Sequence, residues 1–117
     1  MQFTYENDEI RSAIEENEYT WVIKSIGMQM TKTLKKRILQ IKASNNFMIY
    51  FKTGLGKPHP LDGNLKGSYG ISITGNYRLV VEPITDAYDV ETLSKCDTVL
   101  VKGVVDYHGG KYNWILP

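Results

Sequence analysis

The stretch SYGISITGNYRLVVE, Ser68 to Glu82, alternates apolar and polar residues on either side of a Gly75-Asn76 pair. Tyr69, Ile71 and Ile73 alternate before the pair and Tyr77, Leu79 and Val81 after it, the pattern of a β-hairpin with one buried face. Two registers compete. A two-residue Gly75-Asn76 loop pairs Ile73 with Arg78 on one face, whereas a three-residue Thr74-Gly75-Asn76 loop pairs Ile73 with Tyr77. A one-residue slip sends every side chain to the opposite face, so burial selects the register. The second choice collects all six apolar residues on the core side and leaves Arg78, Val80 and Glu82 on the other.

Upstream, Lys52 to Gly67 is rich in Gly and Pro and reads as a loop carrying Lys57, His59 and Lys66. Its Gly54-Leu55-Gly56-Lys57 is not a Walker phosphate loop, because Phe51 and Pro58 stand where that motif needs Gly and Ser/Thr. Downstream, Pro83 ends the hairpin, and Asp89 can cap a short turn over Val90 to Lys95 in a polar connection. The β-branched run Thr98 to Tyr107 predicts an inner strand, with Val99, Val101, Val105 and Tyr107 on one side and Lys102, Asp106 and His108 on the other. Gly109-Gly110 stops it. The tail Lys111 to Pro117 carries Tyr112 and Trp114, pinned to the surface or spanning an interface.

Toward the N-terminus, Gln2 to Tyr5 is an edge-strand candidate. Asn7 or Asp8 then caps a helix that breaks at Asn17 to Tyr19 or runs on to Gly27. From Met28 onward Met30, Leu34, Ile38 and Ile41 form an apolar stripe, with Lys32, Lys35, Lys36 and Gln40 off it, so this helix has a basic outer face that includes Arg37. Phe47 to Phe51 is too short an apolar run to type. The expected fold is α+β: two N-terminal helices on one face of a small, twisted, mainly antiparallel sheet, in a single domain over residues 1–117, with a basic concavity on the other face.

The 117 residues are 42% apolar and 23% charged, values ordinary for a soluble globular domain. There is neither an eighteen-residue apolar run nor a signal-like start, which predicts a cytoplasmic protein without a membrane partner. Cys96 is the only cysteine, excluding an internal disulfide or a cysteine-built zinc site. The net charge of +1 hides an asymmetry: residues 24–66 hold nine bases and one acid, whereas residues 1–23 hold six acids and one base. Such a block is either a solvated helix face or the footprint of a polyanion partner.

Cations and imidazoles on turn-anchored scaffolding suit metal-free chemistry on a phosphodiester. His108 at a strand end can move a proton at neutral pH, or can simply be a surface residue. Asp106 shares its face and either orients it or keeps that face soluble. Arg78 is expected on the same side of the sheet, with His59, Lys57 and Lys66 in the adjoining loop.

The run His59-Pro60-Leu61, Asn64-Leu65-Lys66-Gly67, Tyr69, Ile71-Ser72-Ile73, Gly75-Asn76-Tyr77-Arg78-Leu79 and finally Asp106-Tyr107-His108 resembles the plasmid-maintenance killer proteins, the HigB branch of the RelE/ParE toxin superfamily. The match covers about a third of the chain. The resemblance implies a small toxin that cleaves mRNA in the ribosomal A site without a metal or cofactor and is neutralised by a helix-turn-helix antitoxin, through which it oligomerises. It also implies that His108, Asp106 and Tyr107 form the terminal-strand part of the active site, His59 the loop part, Arg78 the hairpin cation and Lys66 a further base. Lys32, Lys35, Lys36, Arg37 and Lys57 are then the candidates for binding rRNA. The ParE-like gyrase poisons share the fold but have little use for the Asp-Tyr-His run; a catalytically silent, antitoxin- or nucleic-acid-binding relative is the other alternative. The long Pro83–Asp97 connection and the nine residues after His108 depart from compact members of the family.

Overall fold

The hairpin from Ser68 to Glu82 lies inside a six-stranded sheet. The computed structural model describes residues 1–117. In chain order the elements are β1 (Gln2–Tyr5), α1 (Asp8–Glu15), α2 (Thr20–Ala43), α3 (Phe47–Thr53), β2 (His59–Pro60), a 3-10 turn (Gly63–Leu65), β3 (Tyr69–Thr74), β4 (Tyr77–Pro83), α4 (Val90–Leu93), β5 (Thr98–His108) and β6 (Lys111–Leu116). The sheet order is β1-β5-β4-β3-β2. β6 pairs with the far half of β5, on the edge whose other half takes β1. Only β1 runs parallel to its neighbour.

The hairpin reconciles both registers. Thr74 pairs with Tyr77 across a two-residue turn, and a bulge at Ile73 restores Ser72–Arg78, Ile71–Leu79 and Tyr69–Val81 beyond it. The turn takes its shortest form while the apolar set still reaches the core. Ile71, Ile73, Leu79 and Val81 are buried there against Leu34, Ile38 and Ile41 of α2, whose predicted stripe packs inward.

The helical layer differs from the expected pair. Asn7 caps α1 by accepting from Ile10 N at 2.9 Å, the helix ends by Glu16, and Asn17 follows at φ +54°. α2 is then interrupted at Gly27, where φ 86° and ψ 166° are not helical. The untyped run Phe47–Phe51 is the helix α3, capped by Asn46 and burying Phe47 and Tyr50 completely. No helix is long and apolar enough to cross a membrane.

Tyr50 is both buried and bonded: its hydroxyl donates to Leu55 O at 2.7 Å, and burial pushes its phenol up to about 12. An unfolded tyrosine loses its proton near pKa ~10. Between pH 10 and 12 the unfolded chain therefore binds fewer protons than the folded one, and stability falls as pH rises through that window. Chemical denaturation at pH 9 and pH 12 should show this, and Tyr50→Phe should flatten the decline. The variant should also lose about 0.5–1.5 kcal/mol at neutral pH with the hydrogen bond to Leu55 O.

β5 departs most from its sequence reading. Val81 pairs with Val101, but Val80 pairs with Gly103 and Leu79 with Val104, so Lys102 is one extra residue, accommodated beside Gly103, where φ is +144°. The alternation inverts there. Val99, Val101 and Val104 enter the main core, whereas Val105 turns to the opposite face and joins Val80, Leu61 and Leu65 in a second cluster. That face is therefore not an open basic concavity: the segment from His59 to Leu65 folds over part of it.

Gly109-Gly110 is a turn. Both glycines have positive φ, 58° and 79°, and His108 pairs with Lys111 directly across them, as in a two-residue hairpin whose twist matches its strands. The tail, read as pinned to the surface or spanning an interface, is pinned to its own sheet as the paired strand β6.

Candidate functional site

The Gly75–Tyr77 turn anchors the site. Arg78 Nη1 donates to Gly75 O at 2.7 Å and to Tyr77 O at 3.0 Å. The Nε and Nη2 donors remain unengaged, the edge with which a guanidinium forks onto a phosphate. On the neighbouring residue, Asn76 Nδ2 lies 3.1 Å from His108 Nδ1, and Asn76 O accepts from Tyr107 N at 2.8 Å. With the amide nitrogen toward the ring, Nδ1 of His108 accepts and Nε2 carries the proton. One turn thus positions Arg78, Tyr107 and His108.

The bulge at Gly103 corrects the expected arrangement of these groups. Arg78 pairs with Val105, so it shares a face with Val105 and Tyr107; Asp106 pairs with Tyr77, so Asp106 and His108 lie on the opposite face. Arg78 and His108 grip the same turn from its two sides. Asp106 does share the face of His108, but the hydrogen-bond partner of His108 is Asn76.

His59 joins Arg78. It pairs with Gly70 on β3, which pairs with Val80, and Ser72 two residues on pairs with Arg78, placing both side chains on one sheet face. Two strand spacings and two residues separate their Cα atoms, roughly 12 Å, a gap that an arginine and an imidazole can close around a phosphate. His59 Nδ1 lies 3.1 Å from Lys57 O. A carbonyl only accepts, so Nδ1 holds the proton and the neutral ring offers Nε2 as an acceptor. The Lys57 carbonyl that sets this tautomer belongs to a residue at φ +49°, a left-handed conformation rare outside glycine.

The other predicted residues scatter. Lys66 lines a recess with Pro60, Asp62 and Tyr88, where Pro60 pairs with Tyr69 at the start of β3, the end remote from the Gly75-Asn76 turn. Lys57 is exposed beside His59. Of the basic helix residues, Lys32 and Lys36 are exposed, whereas Lys35 sits 4.4 Å over the Tyr19 ring. Arg37 is structural: its Nε donates to Ser72 O at 2.9 Å and its Nη1 to Gln40 at 3.0 Å. Carboxylates pair with Arg11, Lys95 and Lys102, leaving Arg78, Lys57 and Lys66 without acidic partners.

No three His, Cys, Asp or Glu side chains converge in the manner of a metal site. Cys96 is buried, its thiol donating to Thr98 O at 3.2 Å, and burial pushes it above the ordinary thiol range. In the sequence Asn76 reads only as a turn residue, and Tyr112 and Trp114 only as part of a surface tail; the structure joins Asn76 to His108 and places Tyr112 and Trp114 on a strand beside Tyr107 and Val105. Gly-Gly between two β-prone runs was the available signal for Tyr112 and Trp114, since it marks a hairpin and hence a strand after it.

Neither a protein-family model nor a curated protein sequence matches the chain. Solved structures do. The YoeB-YefM complex from Staphylococcus aureus aligns at 21% identity over 92% of this chain and 97% of that one, with a TM-score of 0.52. A heterotetrameric YoeB-YefM toxin-antitoxin complex from the same organism aligns over the same shares at 21% identity and 0.51. At this identity the likeness concerns the fold, and the fold of this chain is similar to that of the YoeB-type toxins.

Proposed function

We propose that this chain is the toxin of a toxin–antitoxin pair, of the HigB branch, and that it is an endoribonuclease cutting ribosome-bound mRNA in the cytoplasm as one domain over residues 1–117. The observation that carries the reading is a guanidinium with a free fork on the same sheet face as one imidazole, His59, with a second imidazole, His108, held at the other side of the Gly75-Asn76 turn, on a fold similar to YoeB. Cleavage by the adjacent 2′-OH needs a proton acceptor, a stabiliser for the charged pentacoordinate phosphorus and a proton donor for the departing 5′-oxygen. His59 Nε2 takes the proton and Arg78 forks onto the non-bridging oxygens on their shared face; the RNA passes round the Gly75-Asn76 end of the sheet, so that its leaving 5′-oxygen meets His108 Nε2–H on the other side of that turn. Tyr107 lies beside the phosphate, Lys57 and Lys66 extend the positive charge along the loop, and Asp106 adds a weaker electrostatic effect from the His108 face. The antitoxin partner follows from the same reading, because the similar structures are toxins bound to YefM.

The test is induction of the chain alone, followed by pulse labelling and by mapping of new 5′ ends on translated messages. Protein synthesis should stop first, with breaks confined to messages under translation. DNA breaks appearing before translation arrest would place the chain with the gyrase poisons.

Lys32 and Lys36 are the docking residues on this reading. Reversing both to Glu should weaken ribosome association and reduce its salt slope by about 2, since each phosphate contact contributes about 0.9. Single-turnover cleavage on saturating ribosomes should hardly change. Arg37→Glu should act differently, by lowering the melting temperature, because it removes the tie from α2 to Ser72.

A further inference from the structure

We propose that Tyr112 and Trp114 of β6 form a base-stacking subsite for single-stranded RNA beside Arg78; this rests on the ribonuclease reading and adds to it the site of a second nucleotide. β6 pairs Tyr107 with Tyr112 and Val105 with Trp114, and β4 pairs Arg78 with Val105. Arg78, Val105 and Trp114 therefore form a straight row across three strands, with Tyr107 and Tyr112 in the next row on the same face. The two tyrosine rings stack at 4.9 Å between centroids and 27° between planes. Tyr112 is braced from below by the Leu61, Leu65, Val80 and Val105 cluster. Trp114 has no such cover and is 45% exposed, a large indole held open on a paired strand.

Charge chooses the occupant. Arg78 and His59 on this face have no carboxylate partner, so the backbone of a polyanion is attracted there. At the Trp114 end the recess is rimmed by Glu6, Lys102 and Pro117, and Lys102 is already held by Glu82 at 2.9 Å. A phosphate beside Glu6 is disfavoured, while a neutral base stacked on the indole is not. The arrangement reads as phosphate at Arg78 and base at Trp114, the pairing of cationic groove and aromatic platform that binds single strands with little sequence preference.

The experiment uses the full chain and a fluorescein-labelled 2′-O-methyl hexaadenylate, which has no free 2′-OH and cannot be cut. Anisotropy gives its affinity. Trp114→Ala should weaken binding about tenfold, as stacking on one aromatic ring does, and Tyr112→Ala by a comparable factor, while Trp114→Phe keeps most of it. Melting temperatures should stay near wild type for the Trp114 variants. In the chain carrying Trp21→Phe, which leaves Trp114 as the only indole, the oligomer should also quench tryptophan fluorescence. Equal affinity for wild type and Trp114→Ala, or no binding by the wild-type chain, overturns the subsite. Binding through Trp114 by a chain that never cuts a natural message keeps the subsite and sinks the ribonuclease reading instead. Cleavage that persists with Trp114 irrelevant to binding or KM does the reverse.

Discussion

Arg78→Ala should slow RNA cleavage by about 10²- to 10³-fold, the effect of removing one preorganised donor from developing negative charge. Its Nη1 is already spent on Gly75 O and Tyr77 O, which fixes the guanidinium before substrate arrives and leaves a rigid Nε–Nη2 edge. Arg78→Lys should recover only part of the loss, because an ammonium brings charge without the planar fork. His59→Ala and His108→Ala should each cost about 10²-fold or more, the range of a positioned acid or base. The two differ in a measurable way. A substrate with sulfur in place of the bridging 5′-oxygen leaves without needing a proton, so it should restore His108→Ala toward the wild-type rate and do nothing for His59→Ala. Rescue of His59→Ala instead would exchange their roles, and wild-type cleavage by Arg78→Ala would place the chemistry elsewhere. Asn76→Ala should imitate a mild His108 defect by releasing its ring, and Asp106→Asn should be milder still.

Gly103→Ala should have the largest effect on stability. A Cβ at this position would lie 2.1 Å from Leu116 O and 2.7 Å from the Pro117 carbonyl carbon, both backbone atoms of the paired β6 end, and the residue sits at φ +144°. Strain of this kind costs about 1–3 kcal/mol, and forcing extra volume into packed structure a further 1–3. The sum is a large share of the roughly 5–15 kcal/mol that holds a typical domain folded. Gly110→Ala is the control. It too has positive φ, but nothing lies within 4 Å of its Cβ, so it should cost only about 1 kcal/mol. Urea unfolding of both variants separates the clash from the backbone conformation. If Gly103→Ala melts with Gly110→Ala, the bulge is adaptable and the face assignment of Val105 and Tyr107 is not rigidly held. If it folds with β6 detached, Tyr112 should become accessible and cleavage should fall as well.

Much of the fold was legible because short-range patterns carried it. The hairpin turn, the core face of β3 and β4, the buried stripe of α2, the caps at Asn7 and Asp89 and the interruption at Gly27 all rest on contacts within a few residues or on simple alternation. β5 was misread for a specific reason. Val99 to Val105 is apolar toward both faces, since one side meets the helices and the other meets Leu61 and Leu65, so the period of two that reveals a bulge is masked. Only the pairing with β4 and the close approach of Leu116 and Pro117 require the extra residue beside Gly103. That one residue separates Arg78 from Asp106 and His108 and unites it with Tyr107, Tyr112 and Trp114. The site follows the same division. The residue types of the proposed site were readable in the chain, because the proposed chemistry on a phosphodiester calls for imidazoles and cations of this kind. Their partners were not. Asn76 reaches His108 across 32 residues and Arg37 reaches Ser72 across 35, and no local pattern specifies a hydrogen bond made only after the sheet has closed.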